Sequence, residues 1–138
     1  MTGRATIVTL SGAALADALP VLARLRIRVF REWPYLYEGS LAYEERYLAR
    51  FVAAPGALLV AARDGAEIVG ASTGAPLAHE DEAFREPFAA RGFDVARMFY
   101  CAESVLLADY RGQGLGHEFF ERREAQARAL GMTASVFC

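Results

Sequence analysis

Arg111-Gly112-Gln113-Gly114-Leu115-Gly116 decides how this chain folds. It closes an apolar run, Ser104 to Ala108, and opens a helical pattern from His117 to Leu130. A strand leading into a glycine loop and then a helix makes a cradle for an anion. The first N–H groups of a helix lack intrahelical partners, and glycines let a phosphate approach the main chain with no Cβ in the way. Three glycines beside an arginine also exceed what a tight strand-to-helix turn alone requires. The stretch therefore points to a ligand that carries phosphate or pyrophosphate.

Spacing narrows the choice of ligand. A dinucleotide fingerprint has glycines at its first, third and sixth positions, and counted from Gly112 the sixth position is His117. A nucleoside-triphosphate loop ends in Gly-Lys-Ser/Thr, and the chain contains no lysine. Arg-x-x-Gly-x-Gly after a strand remains, and it resembles the acyl-CoA loop of the GNAT superfamily of N-acetyltransferases. The longer run Leu106-Leu107-Ala108-Asp109-Tyr110-Arg111-Gly112-Gln113-Gly114 follows the family's x-Pro-x-Tyr-Arg-Gly-x-Gly turn, with Ala108 where proline is common. Upstream, Leu25 to Phe30 resembles the family's first helix, and Gly65 to Ala71 resembles its hairpin between second and third strands.

The resemblance implies a mixed α/β (α+β) fold of the acyl-CoA N-acyltransferase type, with a partly antiparallel sheet flanked by helices in a single domain over residues 1–138. It implies acetyl-CoA as co-substrate and a small-molecule or peptide amine as acceptor. Arg111, Gly112, Gln113, Gly114, Leu115 and Gly116 would then hold the pyrophosphate at the helix start, where the macrodipole favours negative charge. Leu106 would offer its main chain to the pantetheine arm, which behaves like an added strand. GNAT domains usually continue past the last strand of this chain with another helix and two strands. The chain is therefore expected to be C-terminally incomplete, either a piece of a longer enzyme or a unit whose sheet a second subunit completes, because a bare final strand is an unpaired edge.

Composition sets outer limits. With 138 residues, 54% hydrophobic and 12% aromatic, one domain with an ample core is expected. A net charge of −2 argues against a nucleic-acid surface. No apolar run approaches the roughly 20 residues that span a bilayer, and Met1 to Leu10 lacks the apolar core of a secretory signal, so a cytoplasmic location is expected and a membrane partner is not. All fifteen basic residues are arginine amid abundant alanine, which reads as the coding bias of a high-GC bacterial genome. Cys101 and Cys138 lie in apolar runs and read as buried free thiols. No metal is expected: His79 and His117 lack ligand spacing, and Glu80-Asp81-Glu82 reads as a solvated helix start.

Along the chain, Ala5 to Leu10 reads as a strand with Ser11 as the following N-cap. Leu15, Leu19, Leu22, Leu25, Val29 and Phe30 recur at helical spacing, and Pro20 predicts one broken helix or two short ones. Trp33-Pro34 ends that helical stretch, and Leu41 to Val52 is a second helix. Ala57 to Ala62 and Glu67 to Pro76 form a hairpin around Asp64-Gly65. Phe84 and Phe88 predict a short helix lying over something apolar. Arg97 to Leu107 is a long strand, Gly114 to Leu130 a helix, and Thr133 to Cys138 a final strand. This order predicts mixed α/β structure.

Acetyl transfer needs a neutral amine, a polarised thioester carbonyl and a leaving thiolate. Glu103 is the candidate base, an acidic residue inside the apolar run Met98 to Leu107, where desolvation would raise its pKa. Strand alternation places it on one face with Cys101 and Val105. Its structural alternative is a carboxylate paired with an arginine or lying at an exposed face. The family's usual proton donor, a tyrosine on a later helix, has no counterpart in this chain. An acyl-enzyme on Cys101 or Cys138 lacks a neighbouring histidine in the sequence. Trp33-Pro34-Tyr35-Leu36-Tyr37-Glu38-Gly39 is unusually aromatic for a loop. With Glu32 and Glu38 it would suit a cationic amine, or it would merely cap the core edge. Two other functions compete with acetyl transfer to an amine. One is a non-catalytic acyl-CoA-binding or dimerisation module. The other is an acyl-homoserine-lactone synthase of the same fold, suggested by Arg28-Val29-Phe30 followed by Trp33.

Overall fold

The computed structural model describes residues 3–32 and 35–137, so Trp33, Pro34 and Cys138 lie outside the described residues. Five strands form one sheet in the order β1 (Thr6–Leu10), β2 (Leu58–Asp64), β3 (Glu67–Pro76), β4 (Met98–Leu106) and β5 (Ala134–Val136). Neighbours from β1 to β4 are antiparallel, and β5 runs parallel to β4. Among the described residues four α-helices accompany them: α1 (Gly12–Phe30), α2 (Leu41–Val52), α3 (Glu82–Ala90) and α4 (Leu115–Ala129). The mixed α/β sheet and the order of elements are those expected from the sequence.

Helices cover both faces of the sheet. Leu15, Leu22 and Leu25 of α1 and Leu48 of α2 pack with Leu59, Ala71, Ala75 and Val105 on one face. On the other, Leu115 and Phe119 of α4 pack with Leu58, Val60, Ala62 and Val69. Strand β2 has Leu58 to Ala62 buried without a break, as a strand sandwiched between two helical layers must. The β2–β3 turn closes with Asp64 opposite Glu67, and Gly65 takes a φ of +62° at the first turn position.

Two expectations are corrected. Helix α1 runs unbroken through Pro20. An interior proline costs about 3 kcal/mol through a lost hydrogen bond and a crowded carbonyl. Burial of Leu15, Leu22 and Leu25, at about 1.5–3 kcal/mol each, outweighs that cost. The second correction concerns β4. Ser72 pairs with Ser104 and Gly74 with Cys101, so Ala102 and Glu103 together stand opposite Thr73. This bulge inserts one residue and reverses the alternation. Cys101 packs with Phe99 and Ala127 toward α4, whereas Val105 packs toward α1 on the opposite face. Glu103 faces α1 with Val105, and does not share a face with Cys101.

Candidate active site

After β4 the chain makes a short 3₁₀ turn, Ala108–Tyr110, and enters the glycine loop. Gly112 and Gly114 have φ of +81° and +78°, while Gln113 between them keeps a negative-side φ. Alternation of that kind turns successive N–H groups toward one side and forms an anion-binding concavity. Gly114 is the N-cap of α4, and the first helical bond runs from Glu118 N–H to the Gly114 carbonyl at 3.2 Å. The N–H groups of Leu115, Gly116 and His117 precede that bond and point out of the helix start. A Cβ built on Gly112, Gly114 or Gly116 would meet nothing within 4 Å, so the cradle is open.

Side chains fix the loop from three directions. The Gln113 side chain accepts from Ala5 N–H at 3.1 Å and donates to the Gly3 carbonyl at 3.3 Å. The Tyr110 hydroxyl donates to Asp64 at 2.6 Å, which pushes the phenol pKa up to about 12. Arg111 donates to the Leu106 carbonyl at 3.4 Å. Leu107 N–H donates to the Val69 carbonyl on β3, so the main-chain groups of Leu106 face the other edge of β4. On that edge β5 pairs only with Met98, Phe99 and Tyr100, which leaves β4 from Cys101 to Leu106 without a strand partner among the described residues. His117 turns along its helix to Glu121, 2.9 Å away, and is exposed.

Glu103 is held by Arg26 of α1, whose Nη1 donates to its carboxylate. The Nε of the same guanidinium donates to Glu44 of α2 at 2.5 Å, and Glu44 also accepts from the Tyr37 hydroxyl at 2.9 Å. Arg26 lies under the rings of Phe30 and Tyr47, 5.4 and 4.9 Å from their centroids. Glu44 is completely buried. One cation therefore serves two carboxylates, and the paired carboxylate anticipated as the structural alternative for Glu103 is what the fold contains. Burial raises the pKa of Tyr37 and of Tyr47, and the hydrogen bond to Glu44 raises Tyr37 further.

Glu103 lies between two depressions. One is walled by Phe30, Tyr35, Tyr37 and Tyr43 with Arg26. The other, across Tyr47, includes Ala102, His79, Glu80 and Asp81. The pKa of Glu80 is raised by burial and by neighbouring Asp81. Tyr37 is half-buried, whereas Tyr35 is 66% exposed and borders open space. Tyr35 packs edge-on against Phe30 at 5.1 Å. Leu36 beside it has a φ of +49°, the one non-glycine in the left-handed region among the described residues. Glu32 and Glu38 are exposed and line neither depression; Glu103 supplies the carboxylate there. Trp33 lies outside the described residues.

Three charged residues of this region escaped sequence reasoning: Arg26, Glu44 and Arg123. Each stands four residues from a buried apolar neighbour on the same helix stripe: Leu22 before Arg26, Leu48 after Glu44, and Phe119 and Ala127 around Arg123. A charge placed on an apolar stripe was the available clue. Cys101 is a buried free thiol whose pKa burial pushes up, the setting of a structural cysteine. Among the described residues no group of three or more His, Cys, Asp or Glu could hold a metal, and no helix is long and apolar enough to cross a membrane.

No protein-family model matches the chain, and no curated protein matches it by sequence. Solved structures match by shape. The aminoglycoside N-acetyltransferase AAC(6')-Iy in complex with CoA is 11% identical with a TM-score of 0.69, and the match covers 100% of this chain and 78% of that one. An aminoglycoside acetyltransferase from an uncultured soil metagenomic sample, in complex with sisomicin, is 15% identical with a TM-score of 0.64 over 97% of this chain and 76% of that one. The ribosomal-protein-alanine N-acetyltransferase of Brucella melitensis is 16% identical with a TM-score of 0.56 over 97% and 79%. The fold of this chain is that of the GNAT N-acetyltransferases.

Proposed function

We propose that this protein transfers the acetyl group of acetyl-CoA to a primary amine, of a small molecule or of a peptide, by direct attack within a ternary complex. One observation carries the proposal. Along a single strand and its loop stand a carboxylate at Glu103, a strand edge at Leu106 with no strand partner among the described residues, and an open glycine cradle from Gly112 to Gly116. That is the order in which an acyl-CoA presents thioester, pantetheine and pyrophosphate. The CoA complex of AAC(6')-Iy, which shares the fold, supports the same co-substrate.

Each residue then has a task. N–H groups of Gln113, Gly114, Leu115 and Gly116 receive the pyrophosphate, with Arg111 beside them. The exposed edge at Leu106 pairs with the pantetheine amides, for which Arg111 must release the Leu106 carbonyl. Glu103, its other oxygen fixed by Arg26, takes a proton from the bound ammonium, and the neutral amine then attacks. A C–N bond forms at the thioester carbonyl as the C–S bond breaks, CoA leaves as its thiolate, and the proton lost by the acylated nitrogen ends on that sulfur to give the free thiol. Aromatic walls at Phe30, Tyr35, Tyr37 and Tyr43 suit the cationic form in which an amine arrives.

A panel of primary amines with acetyl-CoA, followed by release of free thiol, tests the proposal. Turnover with at least one amine is expected, and Glu103→Gln should lower kcat about 100-fold, a typical share for a general base, with KM for acetyl-CoA unchanged. The grip of Arg26 on Glu103 favours one competing function, a non-catalytic acyl-CoA-binding module in which that carboxylate is structural. CoA binding with no turnover on any amine would select it.

A further inference from the structure

Arg123 lies on the α4 face of the sheet at 1% exposure, and among the described residues no carboxylate pairs with it. Its Nη1 donates to two carbonyl oxygens, those of Thr73 and Glu103, at 3.3 Å each. Its Nη2 donates to the Ser104 hydroxyl at 3.2 Å. These are the residues of the β3–β4 irregularity: Thr73 stands opposite the doubled pair, Glu103 belongs to that pair, and Ser104 restores the register. Two buried polar side-chain atoms without a hydrogen-bond partner among the described residues, Ser72 Oγ and Arg123 Nε, belong to the same place.

The surroundings are shaped for this guanidinium. Phe120 lies over it at 4.4 Å. Gly74 beside it is bare because a Cβ there would stand 2.5 Å from the Phe99 ring. Burying an arginine without a counter-charge is costly, and apolar replacements of buried ions are often neutral or stabilising. A planar fork with five donors, however, is the one side chain that reaches carbonyls of two strands and a hydroxyl together. A bulge interrupts the ladder and needs such donors from elsewhere.

We propose that Arg123 is a positioning residue, which braces the β4 bulge from beneath the sheet and thereby fixes the direction in which Glu103 leaves the strand on the opposite face. Two arginines then hold one residue: Arg26 its carboxylate, Arg123 its main chain. The role rests on Glu103 acting as the base of the proposed acetyl transfer.

Arg123→Lys, which keeps the charge and loses the fork, tests it by two measurements. Amide hydrogen exchange should accelerate about tenfold at Ala102 and Glu103 while Gly70 and Ala71 keep their protection, a local change that a loss of global stability does not produce. In turnover, kcat should fall about tenfold with KM for acetyl-CoA unchanged, and the substitution should add nothing in a Glu103→Gln background. Uniform or unchanged exchange would overturn the brace. Additive losses of kcat with an impaired Glu103→Gln would overturn the positioning role alone, whereas full turnover by Glu103→Gln would overturn the base and the role together. Should Arg123→Lys fail to fold, Ser104→Ala removes one acceptor and leaves the buried fork in place. It must then show the same local and non-additive pattern in weaker form, and its absence would overturn the proposal.

Discussion

At the scale of single residues, Glu44 ties three segments together. It is fully buried and joins Arg26 to the Tyr37 hydroxyl, so α1, α2 and the aromatic loop meet at one carboxylate. Glu44→Ala should cost about 3 kcal/mol, because removing one partner of a buried pair strands the other. Urea unfolding would report this as a lower midpoint at constant slope, and a loss below about 1 kcal/mol would mean that Glu103 alone satisfies Arg26. The glycines of the loop were legible in the sequence because positive φ leaves a local mark on residue choice. Arg26, Glu44 and Arg123 were not, because charges on helices read as solvated faces unless the apolar stripe is followed through them.

At the scale of elements, the glycine loop is pinned to the far side of the sheet. Tyr110 ties it to Asp64 in the β2–β3 hairpin, and Gln113 ties it to the segment before β1. The raised pKa of Tyr110, about 12, means that its hydrogen bond stabilises the fold fully below the ordinary phenol value near 10 and that this contribution is lost as pH rises toward 12. The difference in Tm between the wild type and Tyr110→Phe should therefore be constant below about pH 10 and shrink above it. A difference that grows with pH would contradict the assignment. The hairpin and α2 followed from turn chemistry and apolar spacing. The bulge in β4 did not, since Met98 to Leu106 contains no glycine or proline to mark an extra residue, and simple alternation put Glu103 and Cys101 on one face. Helix α1 was misjudged for the opposite reason: Pro20 is a strong local mark that packing overrides.

At the scale of the whole molecule, helices cover both faces while one edge of β4 between the glycine cradle and β5 has no strand partner among the described residues, and the proposed chemistry lies along that edge. The fold was legible because the loop, the hairpin and the helices fall in one order along nearly the whole chain, while the acceptor side depends on contacts between α1, α2 and β4 that no local pattern encodes. Calorimetric titration of acetyl-CoA into the 138-residue chain, with Gly114→Trp as control, tests the cradle most directly. Gly114 has a φ of +78°, so a bulky residue both strains the loop and blocks approach to its N–H groups. Saturable one-to-one binding by the wild type that is lost in Gly114→Trp is the predicted result. Undiminished binding by Gly114→Trp, or no binding by the wild type, would contradict it.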